Sequence, residues 1–170
     1  MTKNWIISTI VLLLFQIIWM NNVGYVIPYI PHIYILLLLI FPFQADTKIY
    51  LLYSFATGMI LDFLSGTGGL YALTSLSLAG LRQIWLRYFT DKRADKSLKL
   101  SQWNPWQWIW RLALWSMLFE FLLYTYDFMS ISQALTHGRD ILMQSLYTWL
   151  FMLVYALLIL YKPEQQNRGL

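Results

Sequence analysis

The sequence contains no cysteine and has few charged residues. Of its 170 residues, 12% are charged and 59% are hydrophobic, whereas about 25% of the residues of an ordinary soluble domain are charged. Without cysteine, neither disulfide bonds nor thiolate metal sites can form. A soluble fold of this length could not bury so much apolar surface, because a small domain has a high ratio of surface to volume. The composition therefore predicts a protein that is surrounded largely by lipid.

The apolar residues occur in runs, such as Ile6 to Ile18 and Ile33 to Phe43, and do not alternate with polar ones. In lipid, every backbone N–H and C=O must be satisfied within the protein, which leaves helices or a closed barrel. Runs of this kind favour helices. We predict an all-α polytopic membrane protein, with one integral membrane domain over residues 1–170 and about six transmembrane helices. The predicted ranges are 5–20, 25–43, 49–64, 69–89, 106–128 and 141–161.

The second predicted helix is interrupted by proline. Pro28 and Pro31 break its start, and Pro42 breaks its end, because proline lacks a backbone donor and clashes with the preceding turn. Membrane helices tolerate proline better than soluble helices do. The range 25–43 is therefore expected to be either a kinked span or a re-entrant piece.

Lysine and arginine are distributed unevenly between the two sides of the predicted helices. With six spans and a cytoplasmic amino terminus, all of the 12 lysines and arginines except Arg139 fall on the inner side. Basic residues collect on the cytoplasmic side of membrane proteins. The count thus predicts that both termini and the basic loop 90–104 are cytoplasmic. If 25–43 does not span, only the amino terminus with Lys3 moves to the outer side. The net charge of +4 is then explained by the flanks of membrane helices, and nucleic acid is not an expected partner.

The third and fourth predicted helices each carry a stripe of small residues, which would let the two helices approach closely in lipid. Residues spaced by four lie on one face of a helix, and on the third helix this face consists of Ser54, Gly58, Asp62 and Gly66. The stripe on the fourth helix consists of Ala72, Ser75 and Ala79. The connection between them is short enough only for a hairpin, and its candidate structural residues are Ser65, Gly66, Thr67 and Gly69.

Asp62 lies near the outer end of the third helix, where an unpaired carboxylate would be costly. The first N–H groups of the helix that begins near Gly69 lack partners within that helix and carry the positive end of its dipole. We expect the carboxylate of Asp62 to accept hydrogen bonds from them, with the hydroxyls of Ser65 and Thr67 helping. Asp62 would then be a structural clamp. A proton or cation site and a contact with a partner stay open as alternatives.

The stretch Gly58-Met-Ile-Leu-Asp62-Phe-Leu-Ser65-Gly66-Thr-Gly-Gly69-Leu70 resembles the signature of the MreD family of rod shape-determining membrane proteins. The resemblance covers about 31–89, because Pro31-His32 and the small-rich helix after the turn also fall where that family has them. The chain departs from the family at Gly68-Gly69, where a bulkier residue more often precedes a single glycine.

The resemblance implies a non-enzymatic subunit of the bacterial cell-elongation (rod) complex, located in the cytoplasmic (inner) membrane and supporting cell shape and peptidoglycan synthesis. It implies MreC as a partner, and also the MreB filament and the wall-synthesis transpeptidase and glycosyltransferase. It further implies the six-helix fold of the substrate-binding subunits of energy-coupling-factor transporters. A small-molecule binding subunit of a transporter is therefore the alternative, with its pocket lined by tyrosines predicted on the outer side, which are Tyr25, Tyr29, Tyr71, Tyr124 and Tyr126.

Three charged residues of the predicted helices, Arg82, Glu120 and Asp127, are candidate intramembrane or partner-contacting groups. Counting 1.5 Å per residue, Glu120 lies roughly 21 Å from Trp106 and about 12 Å from Phe128, which places it within the hydrocarbon. An ion pair between Glu120 and Arg82 would need helix tilt or a water, because their depths differ by roughly 11 Å. Glu120 is expected to be either a protonated, hydrogen-bonded group of the bundle or a carboxylate for coupling or partner binding.

The sequence shows no motif for catalysis or for a cofactor. The glycine-rich turn is not followed by the Lys-Ser/Thr of a phosphate loop, and no nucleophile stands near a base at a recognisable spacing. His32 and His137 are expected at the membrane interface, and neither has a second ligand at helical spacing, so a metal site is not expected. We predict that the protein is not an enzyme and uses no cofactor.

Overall fold

The computed structural model describes residues 9–18, 29–41, 46–89 and 105–157. These residues contain helices and no β-strand, so the all-α prediction is confirmed for this part of the chain. In the described ranges, no helix combines the length with the mean hydropathy of a membrane-crossing segment. The helices are α1 (residues 9–18), α2 (Ile35–Ile40), α3 (Thr47–Ser65), α4 (Leu70–Phe89), α5 (Pro105–Asp127), α6 (Ile131–Thr136) and α7 (Gly138–Tyr155).

The long helices lie close to the predicted ranges. Helices α3, α4 and α5 correspond to the predictions 49–64, 69–89 and 106–128, and α7 begins three residues before the predicted 141. The short helix α6 is not predicted by the sequence pattern; it begins after Ser130, whose hydroxyl accepts a hydrogen bond from the N–H of Gln133. The predicted basic loop 90–104 lies outside the described residues.

Within the predicted range 25–43, the described residues form an interrupted segment and not one continuous helix, which agrees with the alternative of a re-entrant piece better than with a kinked span. Only Ile35–Ile40 is α-helical there, and residues 29–34 are not. A helix of six residues is about 9 Å long, far less than the hydrocarbon thickness of about 30 Å. Pro31 has no N–H and interferes with helix upstream of it. We call residues 29–41 the central segment, because most of it is buried among the other helices.

The long helices pack in sequence, α3 on α4, α4 on α5, and α5 on α7. The central segment contacts α4 and α5 through α2. Its residues Ile33 to Leu38 join the main hydrophobic core, together with Leu12 of α1, Leu61 of α3, Phe119 of α5 and Met152 of α7. The core is therefore built around an irregular segment that the helices enclose.

Polar side chains are gathered inside this arrangement, and large apolar side chains face outward. The side chain of Phe63 is 89% exposed and that of Leu52 is 69% exposed, both on α3. Helices α5 and α7 expose Trp110, Leu114 and Leu150 in the same way. A buried polar group and a large exposed apolar surface are the informative departures from ordinary burial. The buried polar side chains include Gln16, His32, Asp62, Arg82, Glu120, Gln144 and Thr148.

Candidate functional site

Helices α3 and α4 touch backbone to backbone at Gly58. A Cβ atom added to Gly58 would lie 2.5 Å from the Cα of Ala72 and 2.5 Å from the carbonyl oxygen of Tyr71. Real Cβ atoms essentially never come within 3.0 Å of a non-bonded heavy atom of another part of the chain. The absence of a side chain at Gly58 is therefore what allows the two helices to approach so closely.

The carboxylate of Asp62, one turn after Gly58, binds the start of α4. Its Oδ1 accepts a hydrogen bond from the N–H of Tyr71 at 2.9 Å, and its Oδ2 accepts one from the N–H of Ala72 at 2.7 Å. The hydroxyl of Thr67 donates to Oδ1 at 2.5 Å. These are the hydrogen bonds that the interpretation of Asp62 as a clamp expects. Two N–H groups that the helix itself leaves unpaired are satisfied by a charged acceptor.

The turn between α3 and α4 depends on glycine. Gly66 ends α3 in the left-handed region (φ 69°), and its N–H donates to the carbonyl oxygen of Asp62. Gly68 and Gly69 also have positive φ, at 66° and 104°. A side chain is disfavoured in this region, so the Gly68-Gly69 pair has a conformational reason here. Ser65 is the last residue of α3 and is half-buried.

The predicted stripes of small residues lie in the interior, except for Gly66, which is exposed in the turn. Ser54 on α3 and Ala72, Ser75 and Ala79 on α4 are all buried. The hydroxyl of Ser54 donates to the carbonyl oxygen of Tyr50, and the hydroxyl of Ser75 is hydrogen-bonded to that of Tyr34 at 3.1 Å. The stripe of α4 therefore faces the central segment as well as α3.

The backbone of the central segment is hydrogen-bonded to side chains of the helices around it. Gln16 of α1 makes two such bonds. Its Nε2 donates to the carbonyl oxygen of Pro31 at 2.9 Å, and its Oε1 accepts from the N–H of Ile33 at 2.8 Å. Gln144 of α7 donates to the carbonyl oxygen of Ile30. Buried backbone groups outside regular structure need such partners. These amide side chains thus supply the hydrogen bonds to backbone that a continuous helix would form within itself.

The carboxyl end of the central segment is bound by α3 and α4. The hydroxyl of Tyr50 donates to the carbonyl oxygen of Leu38 at 3.0 Å. Arg82 donates from Nη2 to the carbonyl oxygens of Leu39 and Phe41, at 3.2 and 3.0 Å, and its guanidinium lies 4.8 Å from the centre of the Tyr50 ring. Carbonyl groups at the end of a helix carry partial negative charge. Arg82 therefore stabilises the end of α2.

His32 and Glu120 form the centre of a buried polar network. The Nδ1 atom of His32 lies 2.8 Å from Oε1 of Glu120, and its Nε2 lies 3.2 Å from the hydroxyl of Tyr71. The hydroxyl of Thr148 accepts a hydrogen bond from the backbone N–H of His32 at 3.1 Å and donates to Oε1 of Glu120 at 3.0 Å. The network thus joins the central segment to α4, α5 and α7.

The structure separates several residues that the sequence groups together. Arg82 is bonded to the central segment and Glu120 to His32 and Thr148, in line with the expected difference in depth. Asp127 is exposed at the end of α5. His32, which the sequence places at the membrane interface, has a side chain that is 3% exposed and contacts Glu120 inside the protein. His137 is half-buried and stacks on the ring of Phe128 with 4.6 Å between centroids.

Sequence reasoning missed Gln16, Gln144 and Thr148 as members of this site. A signal was present in one case, because Gln16 is a lone amide within an apolar run. Within the described ranges, no group of three or more His, Asp or Glu side chains could hold a metal ion. The side chains of the site are instead bonded to each other and to backbone.

The chain matches no model of a known protein family, no curated protein and no solved structure. Two features of the described residues bear on function: the α3–α4 hairpin with its clamp, and the buried polar network around the central segment.

Proposed function

We propose that the chain is a non-enzymatic membrane subunit of the bacterial cell-elongation complex, similar to MreD, and that it acts through contacts with MreC. The observation that carries this proposal is the α3–α4 hairpin. The residues that carry the resemblance to MreD all serve this hairpin. Gly58 is the point of closest helix contact, Asp62 is the clamp, and Gly66 and Gly69 form the turn. A motif in which each residue has a separate physical role is stronger support than a match of composition.

The distribution of side chains supports a location in the inner membrane. Because the central segment is too short to span, we infer from the four long helices α3, α4, α5 and α7 that the basic loop 90–104 and the carboxyl terminus lie on the cytoplasmic side, whereas the amino terminus moves to the outer side if α1 spans. Exposed apolar groups on α3, α5 and α7 suit lipid, and the polar groups are turned inward, as expected of ionisable residues within a bilayer. Helices α3, α4, α5 and α7 have 19, 20, 23 and 18 residues, so their lengths, though not their mean hydropathy, are close to the roughly 20 mostly apolar residues that a span requires. Membrane lipids are then the surroundings of the outer faces.

The contacts of the interior favour a scaffold over the alternative of a small-molecule binding subunit. Tyr71 is hydrogen-bonded to His32, whereas Tyr126 is hydrogen-bonded to Ser77 at 2.7 Å. Tyr29 stacks on Tyr147. Tyr71, Tyr126 and Tyr29 thus have separate partners, Tyr124 has its ring 6.5 Å from that of His137, and Tyr25 lies outside the described residues. A scaffold needs a rigid body that presents fixed outer faces to MreC, and through it to MreB and the wall-synthesis enzymes.

Depletion of the protein from a rod-shaped cell should test the proposed role directly. We expect the cells to become wider and rounded, because the elongation complex would lose a membrane subunit while division continues. Microscopy of cell width and length over several generations measures the effect. Restored expression of the wild-type chain is the control. Unchanged width and length after confirmed depletion would exclude the proposed function.

The effect of substituting Glu120 on assembly with MreC should depend on whether the new side chain can form hydrogen bonds. We expect Glu120→Gln to co-purify with MreC at nearly the wild-type level, because an amide oxygen can still accept from Thr148 and His32. Glu120→Leu should co-purify several-fold less, because it leaves these buried partners unpaired, at about 1–3 kcal/mol each. Gln133→Ala, at an exposed position on α6, is the control. Equal co-purification of the Gln and Leu variants would contradict the role given to this network.

A further inference from the structure

His32 and Glu120 are two ionisable side chains in direct contact within the core. Their side chains are 3% and 0% exposed. Oε1 of Glu120 accepts from Thr148 and faces the ring of His32. Among the described residues, Oε2 is buried and no donor lies within hydrogen-bond distance of it. A carboxylate in this position is strongly unfavourable unless a positive charge or a proton lies beside it.

Among the described groups around the pair, only His32 is placed to compensate the charge of the Glu120 carboxylate. Arg82 of α4 is directed to the carbonyl oxygens at the end of the central segment. Asp62 of α3 accepts from the N–H of Tyr71, the residue whose hydroxyl is bonded to His32, so this neighbour is a second carboxylate and not a cation. Helices α1 and α7 contribute the uncharged Gln16, Gln144 and Thr148, and within the central segment Tyr34 is bonded to Ser75. Asp127 and Asp140 at the helix ends add negative charge, not positive.

We propose that His32 and Glu120 form a buried proton-binding site, in which one shared proton keeps the core neutral and holds the central segment in place. The proton has two placements that fit the geometry. In the first, both ring nitrogens carry hydrogen, so that Nδ1 donates to Oε1 of Glu120 and Nε2 donates to the oxygen of Tyr71. In the second, the carboxyl group donates to Nδ1, and Nε2 still donates to Tyr71. The distances of 2.8 and 3.2 Å suit both.

Binding of the proton at this site is linked to the packing of the central segment among the helices. The ring of His32 is bonded to Glu120, and its backbone N–H is bonded to Thr148, which also donates to Glu120. Without the shared proton, the pair would carry a net negative charge in a region that already contains Asp62. That charge favours entry of water or release of His32, and Pro31 and Ile33 on either side of it would lose their bonds to Gln16.

A set of three variants of the full chain in detergent tests the shared proton. His32→Asn can keep a donor to Oε1 of Glu120 through its amide nitrogen, but it cannot bind a proton. We expect it to lower the midpoint of thermal unfolding by about 10 °C. Glu120→Gln should lower it by only a few degrees, and the double variant should recover at least half of the loss, because it removes the uncompensated carboxylate. A double variant as unstable as His32→Asn, or less stable, would overturn the proposal.

A spectroscopic measurement locates the proton without relying on a destabilised variant. The chain has two histidines, so a His137→Gln background isolates the ring ¹⁵N signals of His32 at neutral pH. We expect either a ring protonated on both nitrogens, or a neutral ring together with a protonated-carboxyl infrared band that Glu120→Gln abolishes. A neutral ring beside an ionised Glu120 carboxylate would overturn the proposal, whatever the unfolding midpoints show.

Discussion

Replacing Gly58 with alanine is expected to lower the free energy of unfolding by about 3 kcal/mol, the upper range for overpacking a tight contact. The new methyl group would lie 2.5 Å from two backbone atoms, the Cα of Ala72 and the carbonyl oxygen of Tyr71. Backbone of a helix cannot turn aside as a flexible side chain can, so α3 and α4 must move apart. Alanine favours helix over glycine by about 1 kcal/mol, which offsets only part of the loss.

The separation would also weaken the clamp. Asp62 follows Gly58 by one turn, and it binds the N–H groups of the same two residues, Tyr71 and Ala72, that Gly58 touches. Movement of α4 away from Gly58 therefore lengthens both of these hydrogen bonds. We expect valine at position 58 to prevent stable assembly of the hairpin altogether.

Gly80→Ala is the matched control for this prediction. Gly80 lies on α4, and a Cβ atom added there would meet nothing within 4 Å. The Gly80→Ala substitution should leave the free energy of unfolding unchanged, or raise it by up to about 1 kcal/mol because alanine has a higher helix propensity than glycine. Denaturant unfolding of the purified chains, followed by helical circular dichroism, measures both. Equal stability of the Gly58→Ala and Gly80→Ala variants would show that the close helix contact is not required.

Replacing Asp62 with alanine is expected to lower the free energy of unfolding by about 3 kcal/mol. The change removes charge-assisted hydrogen bonds, which are roughly twice as strong as neutral ones, and leaves two buried N–H groups unpaired at about 1–3 kcal/mol each. Asp62→Asn should lose about half as much, because one amide oxygen can serve Tyr71 or Ala72 but not both. The order aspartate, asparagine, alanine is thus the specific expectation.

Hydrogen exchange locates the effect of this substitution. The amides of Tyr71 and Ala72 should lose protection in Asp62→Ala, while the amide of Leu73, which is bonded to the carbonyl oxygen of Gly69, should lose less. Asp127→Asn provides an exposed carboxylate as the control and should change stability by less than about 0.5 kcal/mol. Unchanged protection of Tyr71 and Ala72 in Asp62→Ala would contradict the assignment of Asp62 as the acceptor.

The hairpin could be predicted in detail because its interactions are local in the chain. Asp62 lies nine and ten residues from the two N–H groups that donate to it, and the turn between them is set by glycines that adopt positive φ. Spacing of four residues placed Gly58 and Asp62 on one face, and the unpaired N–H groups at the start of a helix supplied the partner. These steps need no knowledge of the remaining fold.

The backbone path of the central segment and its hydrogen-bond partners could not be predicted from local sequence. Prolines indicated that 25–43 is interrupted, but no periodic pattern specifies an irregular backbone or its partners. The bonds of the segment reach from Pro31 to Gln16 and from His32 to Thr148, which are 15 and 116 residues apart. Each depends on how several helices pack around one position, and so it is absent from any local pattern.

The sequence by itself therefore determined the helical class, the α3–α4 hairpin and the carboxylate that clamps it, because neighbouring residues and backbone geometry decide these features. Only the tertiary structure paired His32 with Glu120, 88 residues away, and assigned Arg82 to the carbonyl groups of the central segment. A buried charge takes the partner that the packed helices bring within hydrogen-bond distance, and that distance depends on the register of every helix around it.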